Sequence, residues 1–88
     1  MIFEIKEDEI TLHEVELNAP TFEQMLHALS LIKEATNHEY ILAGKQIYDF
    51  CKIKNYPLIE KNNSLFASLC IELAHQLVVP QLFEVKKK

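Results

Sequence analysis

The sequence predicts a small α+β domain: an N-terminal β-hairpin, a compact three-helix body and a short C-terminal strand. Two observations carry that expectation. Residues 2–17 alternate apolar and charged in the manner of strands, whereas from Thr21 onward apolar residues recur at helical spacing. At 88 residues, 49% apolar and 25% charged, the chain has material for one core and is too rich in apolar side chains for disorder. One domain, 1–88, is expected, divided into a hairpin (1–17), a helical body (21–79) and a tail (80–88).

The hairpin rests on "IFEIK" (Ile2–Lys6), with Phe3 and Ile5 opposite Glu4 and Lys6, and on "ITLHEVEL" (Ile10–Leu17). The second run slips: Ile10 and Leu12 share one parity, Val15 and Leu17 the other. A bulge near His13–Glu14 would return both pairs to the core. Glu7-Asp8-Glu9 forms the loop, built around a type I turn because it lacks Gly.

Thr21 and Gln24 make a capping box that opens the first helix, and Glu23 complements its dipole. Phe22, Met25, Leu26, Leu29, Ile32 and Ala35 follow on one face, so the helix is expected to run to about Thr36 and to close at Asn37-His38. A second helix is expected over Glu39–Ile53, burying Ala43, Ile47, Phe50 and Cys51. Gly44 inside it costs about 1 kcal/mol against Ala and marks close approach by another backbone. Pro57 breaks the chain at Tyr56. "LIEKNN" connects, with room for one helical turn, and Asn63 or Ser64 caps a third helix over Leu65–Leu77. That helix is apolar almost all round, which marks it as the most enclosed or as facing a partner. Pro80 ends it, "QLFEV" (Gln81–Val85) reads as the final strand, and Lys86–Lys88 as a solvated tail.

Charge and composition exclude several functions. The net charge is −4, but residues 1–24 carry seven carboxylates against Lys6 alone, a net of −6. A nucleic-acid binder needs the reverse, a basic stripe, so no nucleic-acid partner is expected. A single Gly rules out Gly-rich phosphate loops. No apolar run reaches membrane-spanning length, and the start "MIFEIKEDEI" lacks a basic-then-apolar signal pattern. With two cysteines and no Cys-x-x-Cys pair, free thiols in a reducing cytoplasm are the expected setting, with no membrane partner.

His13, His27, His38, His75, Cys51 and Cys70 are the candidate metal ligands, and none has structural-zinc spacing. Either thiol with His75 is a conceivable nucleophile pair, but both lie on apolar stripes, where burial deactivates a thiol. Glu14 and Glu16 share a strand face with nothing apolar beside them to raise a carboxyl for acid catalysis. No catalytic residue, cofactor or metal is therefore expected, and the chain is not expected to be an enzyme. Tyr40 and Tyr48, two helical turns apart, are candidate interface positions, with core packing the equal alternative.

The stretches "LNAPTFEQMLHAL" (Leu17–Leu29), "AGKQIYDFCKI" (Ala43–Ile53), "IEKNNSLFASL" (Ile59–Leu69) and "FEVKKK" (Phe83–Lys88) together resemble the tail assembly chaperone type of small bacteriophage and prophage protein. In that type the second helix ends near a Cys, here Cys51, and an Ile-x-x-Asn-x-x-Leu run, here Ile59, Asn62 and Leu65, leads into the last helix. "KNYPL" stands where relatives carry a Gly-containing acidic loop. The resemblance implies a non-enzymatic viral protein that binds the tape measure and tail tube proteins during tail assembly. Phe22, Met25, Leu65 and Phe66 are then the candidate partner-binding anchors, with Tyr40 and Tyr48 at the rim. Two alternatives stand beside it: a small acidic inhibitor of a host defence nuclease, favoured by the acidic hairpin, and a minor virion component. Self-association is left open.

Overall fold

The computed structural model describes residues 1–80 and 83–88. It is α+β: an antiparallel two-stranded hairpin followed by helices. The elements are β1 (Ile2–Lys6), β2 (Leu12–Glu16), α1 (Phe22–Leu29), α2 (Asn37–Cys51), α3 (Pro57–Glu60) and α4 (Asn63–Leu73), and a π-helical turn, Ala74–Val78, extends α4.

β1 and β2 pair without interruption from Ile2↔Glu16 to Lys6↔Leu12, so the expected bulge at His13–Glu14 is absent. The slip in the sequence pattern resolves differently. Val15 and Leu17 go into the core with Phe3 and Ile5 packed beside them, His13 takes the remaining inward position, and Leu12 faces out. Ile10, expected in the strand, sits in the loop at 93% exposure. There the Asp8 carboxylate accepts the amides of Ile10 and Thr11, at 2.9 and 2.8 Å. Those bonds hold its pKa below the ordinary aspartate value and close the turn without glycine.

The capping box at Thr21–Gln24 forms as expected, but α1 is only two turns long. The expected helix through Ile32 and Ala35 is corrected. Ala35 adopts φ 59°, which no right-handed helix accommodates, and the chain re-enters helix at Asn37. A second capping box causes this: Thr36 Oγ1 accepts the Glu39 amide, while the Glu39 carboxylate accepts the amides of Thr36 and Glu34. Thr36, expected to end a helix, begins one. Asn37 and His38, expected to lie between helices, are the first turn of α2.

α2 ends at Cys51, where Asn18 donates to the Cys51 carbonyl at 2.8 Å and Leu17 bridges to Lys52. The exit of the hairpin is thereby tied to the end of α2. The one-turn helix expected in the connector is α3, with Pro57 at its first position, so the helical body has four helices where three were expected. α4 is capped by Asn62, not Asn63 or Ser64, through its side chain on the Leu65 amide. Part of the final strand expected at Gln81–Val85 lies outside the described residues, and Phe83–Val85 forms no strand.

The core is built where α2 crosses α4. Ala43, Gly44, Ile47, Tyr48 and Cys51 of α2 are buried, as are Leu65, Leu69, Cys70 and Leu73 of α4. Gly44 makes this crossing close: a Cβ built on it would lie 1.7 Å from the Cys70 carbonyl oxygen. The close-approach reading of Gly44 holds. Phe50, expected on the buried face, is exposed at the edge of that face, meeting the His27 ring edge-on at 6.0 Å.

Two substitutions test these constraints. Gly44→Ala should destabilise by about 3 kcal/mol despite the better helix propensity of Ala, because the obstacle is main chain and cannot rotate away. A denaturant midpoint unchanged or raised would contradict the crossing. Ala35→Gly should be neutral or should stabilise by up to about 1 kcal/mol, since it removes a left-handed conformation from a residue with a Cβ. Loss of stability there would contradict the second capping arrangement.

Candidate protein-binding face

The six sequence-predicted anchors divide sharply. Tyr48 and Leu65 are buried in the core, so Tyr48 takes the core-packing alternative and Leu65 is not a partner-binding anchor. Tyr48 fits because its hydroxyl donates to Glu60 Oε2 at 2.5 Å, while its ring takes the edge of Phe66 at 5.1 Å and Lys52 Nζ at 5.2 Å. Phe66 and Tyr40 are partly buried against the same core, and Tyr40 lies against His75 at 4.5 Å. Met25 is half-buried. Only Phe22, at 66% exposure, presents a large free apolar surface, with Leu26 one turn on beside it.

A larger apolar surface lies elsewhere. Along the outer side of β2, two adjoining grooves of about 340 Å³ each share Tyr56, Glu14 and Lys54. Leu12 and Leu58 border one; Ile2 and Ile53 border the other. All four aliphatic side chains are 48–74% exposed. Tyr56 fixes the floor: its hydroxyl accepts the Glu16 amide at 2.8 Å, linking the edge of β2 to the segment before Pro57. Lys54 Nζ stands 5.3 Å over the Tyr56 ring. Glu4, Glu14 and Glu16 lie on the same outward face of the hairpin, with Glu4 directly opposite Glu14. The result is an acidic strip with aliphatic ends. Sequence reasoning missed this face by explaining the parity slip of Ile10 and Leu12 as a bulge; the slip itself was the signal of outward-pointing apolar residues.

Glu60 is the best-tied carboxylate near the core. The Tyr48 hydroxyl, the Tyr56 amide at 3.4 Å and Lys52 Nζ at 3.9 Å converge on it, and the Tyr48 bond leads in holding its pKa below the ordinary value. It anchors α3 to α2.

Both cysteines are buried and free. Burial pushes the Cys70 thiol up to about 12 and raises Cys51, whose Sγ lies 3.8 Å from Gln24 Oε1. Raised thiols are poor nucleophiles at neutral pH. Among the described residues no group of three or more His, Cys, Asp and Glu side chains could hold a metal ion, and no helix is long and apolar enough to cross a membrane. Comparison of the chain with protein-family models, curated proteins and solved structures gives no match.

The thiols predict an alkaline limit to stability. The folded state keeps protons on Cys51, Cys70 and Tyr48 that the unfolded chain releases, because burial raises all three. Stability is therefore full below the ordinary thiol value of 9.0 and falls as pH rises toward 12. Replacing both cysteines by Ala should move the onset up to the ordinary tyrosine value of 10.0. Denaturant titrations between about pH 8 and pH 11 check it. Thiol labelling gives a second check: slow in the native protein, two equivalents when denatured.

Proposed function

We propose that this protein is a non-enzymatic phage or prophage factor that binds tail proteins during tail assembly, using the face around Tyr56 as its principal contact. The observation that carries the binding role is the set of four exposed aliphatic side chains, Ile2, Leu12, Ile53 and Leu58, arranged about a fixed aromatic floor. Aliphatic groups left in water at the rim of a groove gain free energy when a client's apolar segment covers them. The tail-assembly assignment rests on the family resemblance of the helix starts and core positions. In that role the face holds an apolar segment of the tape measure protein until tail tube subunits replace it, and Phe22 with Leu26 forms a second, smaller contact.

The carboxylate strip of Glu4, Glu14 and Glu16 favours a second reading, an acidic inhibitor that occupies the nucleic-acid site of a host nuclease. The two readings respond oppositely to salt, because apolar burial survives screening and carboxylate attraction does not.

Affinity capture from cells in which a phage carrying this gene is replicating separates them. Recovery of tape measure or tail tube protein at both low and high salt, reduced about tenfold by Leu58→Asp, supports tail assembly. Leu58 is exposed, so that variant should fold normally. Recovery of a nuclease lost at high salt, with no tail protein, overturns it.

A further inference from the structure

The other side of the hairpin carries an unused strand edge. Met1 and Leu17 exchange main-chain hydrogen bonds, and the Glu7 amide bonds the Thr11 carbonyl. Antiparallel pairs alternate, so the odd-numbered residues of β1 bond β2 and the amides and carbonyls of Ile2, Glu4 and Lys6 point away from it. Among the described residues nothing bonds those groups. They open on a groove of about 750 Å³ whose far wall is Ser68, Glu72 and Gln76 of α4 and its π-turn.

The chain also contains a strand-like segment with no strand to join. Phe83–Lys88 alternates Phe83 and Val85 with Glu84 and Lys86, and every residue of it is exposed. Set antiparallel to β1, with Glu84 opposite Lys6, the segment places Lys86 opposite Glu4 and Val85 opposite Ile5. Two opposite-charge pairs then stand on the outer face; beneath them Val85 meets Ile5, and Lys87 falls opposite Phe3 on the side of the groove whose wall carries Glu72. No parallel register does this: Lys86 opposite Glu4 brings Lys88 opposite Lys6, and Glu84 opposite Glu4 gives two like-charge pairs.

Among the described residues Phe83–Lys88 is exposed and pairs with no strand, its own β1 included. The bare edge and the segment are thus both open to a second copy. The geometry points to self-association by reciprocal strand exchange: Phe83–Lys88 of one copy adds to the free edge of β1 in a second copy, and the reverse. One edge and one tail per chain close the exchange at two copies. This edge points away from Tyr56, although Ile2 borders both grooves; the oligomeric state is read without any client protein, so the two proposals fail independently.

Sedimentation equilibrium on the full chain, on a variant lacking Phe83–Lys88, and on charge variants tests it. Expected are a dimer for the full chain and a monomer for the shortened one. Lys86→Glu and Glu4→Lys should each weaken the dimer about tenfold, and their combination should restore it, since the exchanged pair is again of opposite charge. Glu4 and Lys86 are both exposed, so neither change should affect folding. A full chain that stays monomeric at millimolar concentration overturns the proposal, including the case where amide exchange shows β1 protected in the monomer by its own tail. A dimer that survives loss of Phe83–Lys88, or charge variants that do not rescue one another, overturns it equally.

Discussion

The fold hangs on the absence of one side chain. At Gly44 the backbone of α2 meets the Cys70 carbonyl of α4 at a distance no Cβ could share. Helices normally pack with side chains between them, at interaxial distances set by those side chains. Removing one lets the two longest helices close up and bury Ile47, Tyr48, Leu69 and Leu73 together. The cost of Gly in a helix, about 1 kcal/mol, is small against the burial of those four side chains. Cys70 contributes as a small apolar group under the same crossing, which is why its thiol is held so far from ionising.

Everything else is attached to that pair by local polar devices. Asn18 and Leu17 tie the hairpin to the end of α2, and Glu60 ties α3 to Tyr48. Glu39 pins the α1–α2 connection through two amides, and those bonds keep its pKa low. A small domain has little core to spare, so fixing connectors by hydrogen bonds to carboxylates limits the chain entropy that the core must offset. Tyr56 serves in the same way, and in doing so creates the floor of the apolar face: the residue that closes β2 also shapes the groove.

The hairpin thus has two unlike sides. One edge is met by Tyr56 and bordered by exposed aliphatic residues; the other is bare main chain over a groove. Free strand edges invite pairing, and the usual protection is charge. Here Glu4 and Lys6 are the charged residues of the strand that carries the bare edge.

The sequence by itself determined the fold class, the presence of an N-terminal hairpin, the Thr21 capping box, the meaning of Gly44 and the burial of both thiols. These depend on local pattern or on one residue's chemistry, so they can be read without the rest of the chain. The Thr36-Glu39 box was equally local and equally visible, but the run of apolar residues through Ile32 and Ala35 concealed it. Tertiary structure alone decided the remainder. Tyr48 and Leu65 became core because their neighbours come from other elements, and Tyr48 needed Glu60 to satisfy its hydroxyl. Leu12 and Leu58 became one face because Tyr56 brings the loop before α3 against β2, residues 40 positions apart in Glu16 and Tyr56. Periodicity reports which side of an element is apolar; it does not report what that side meets, and that meeting made one leucine core and another a binding edge.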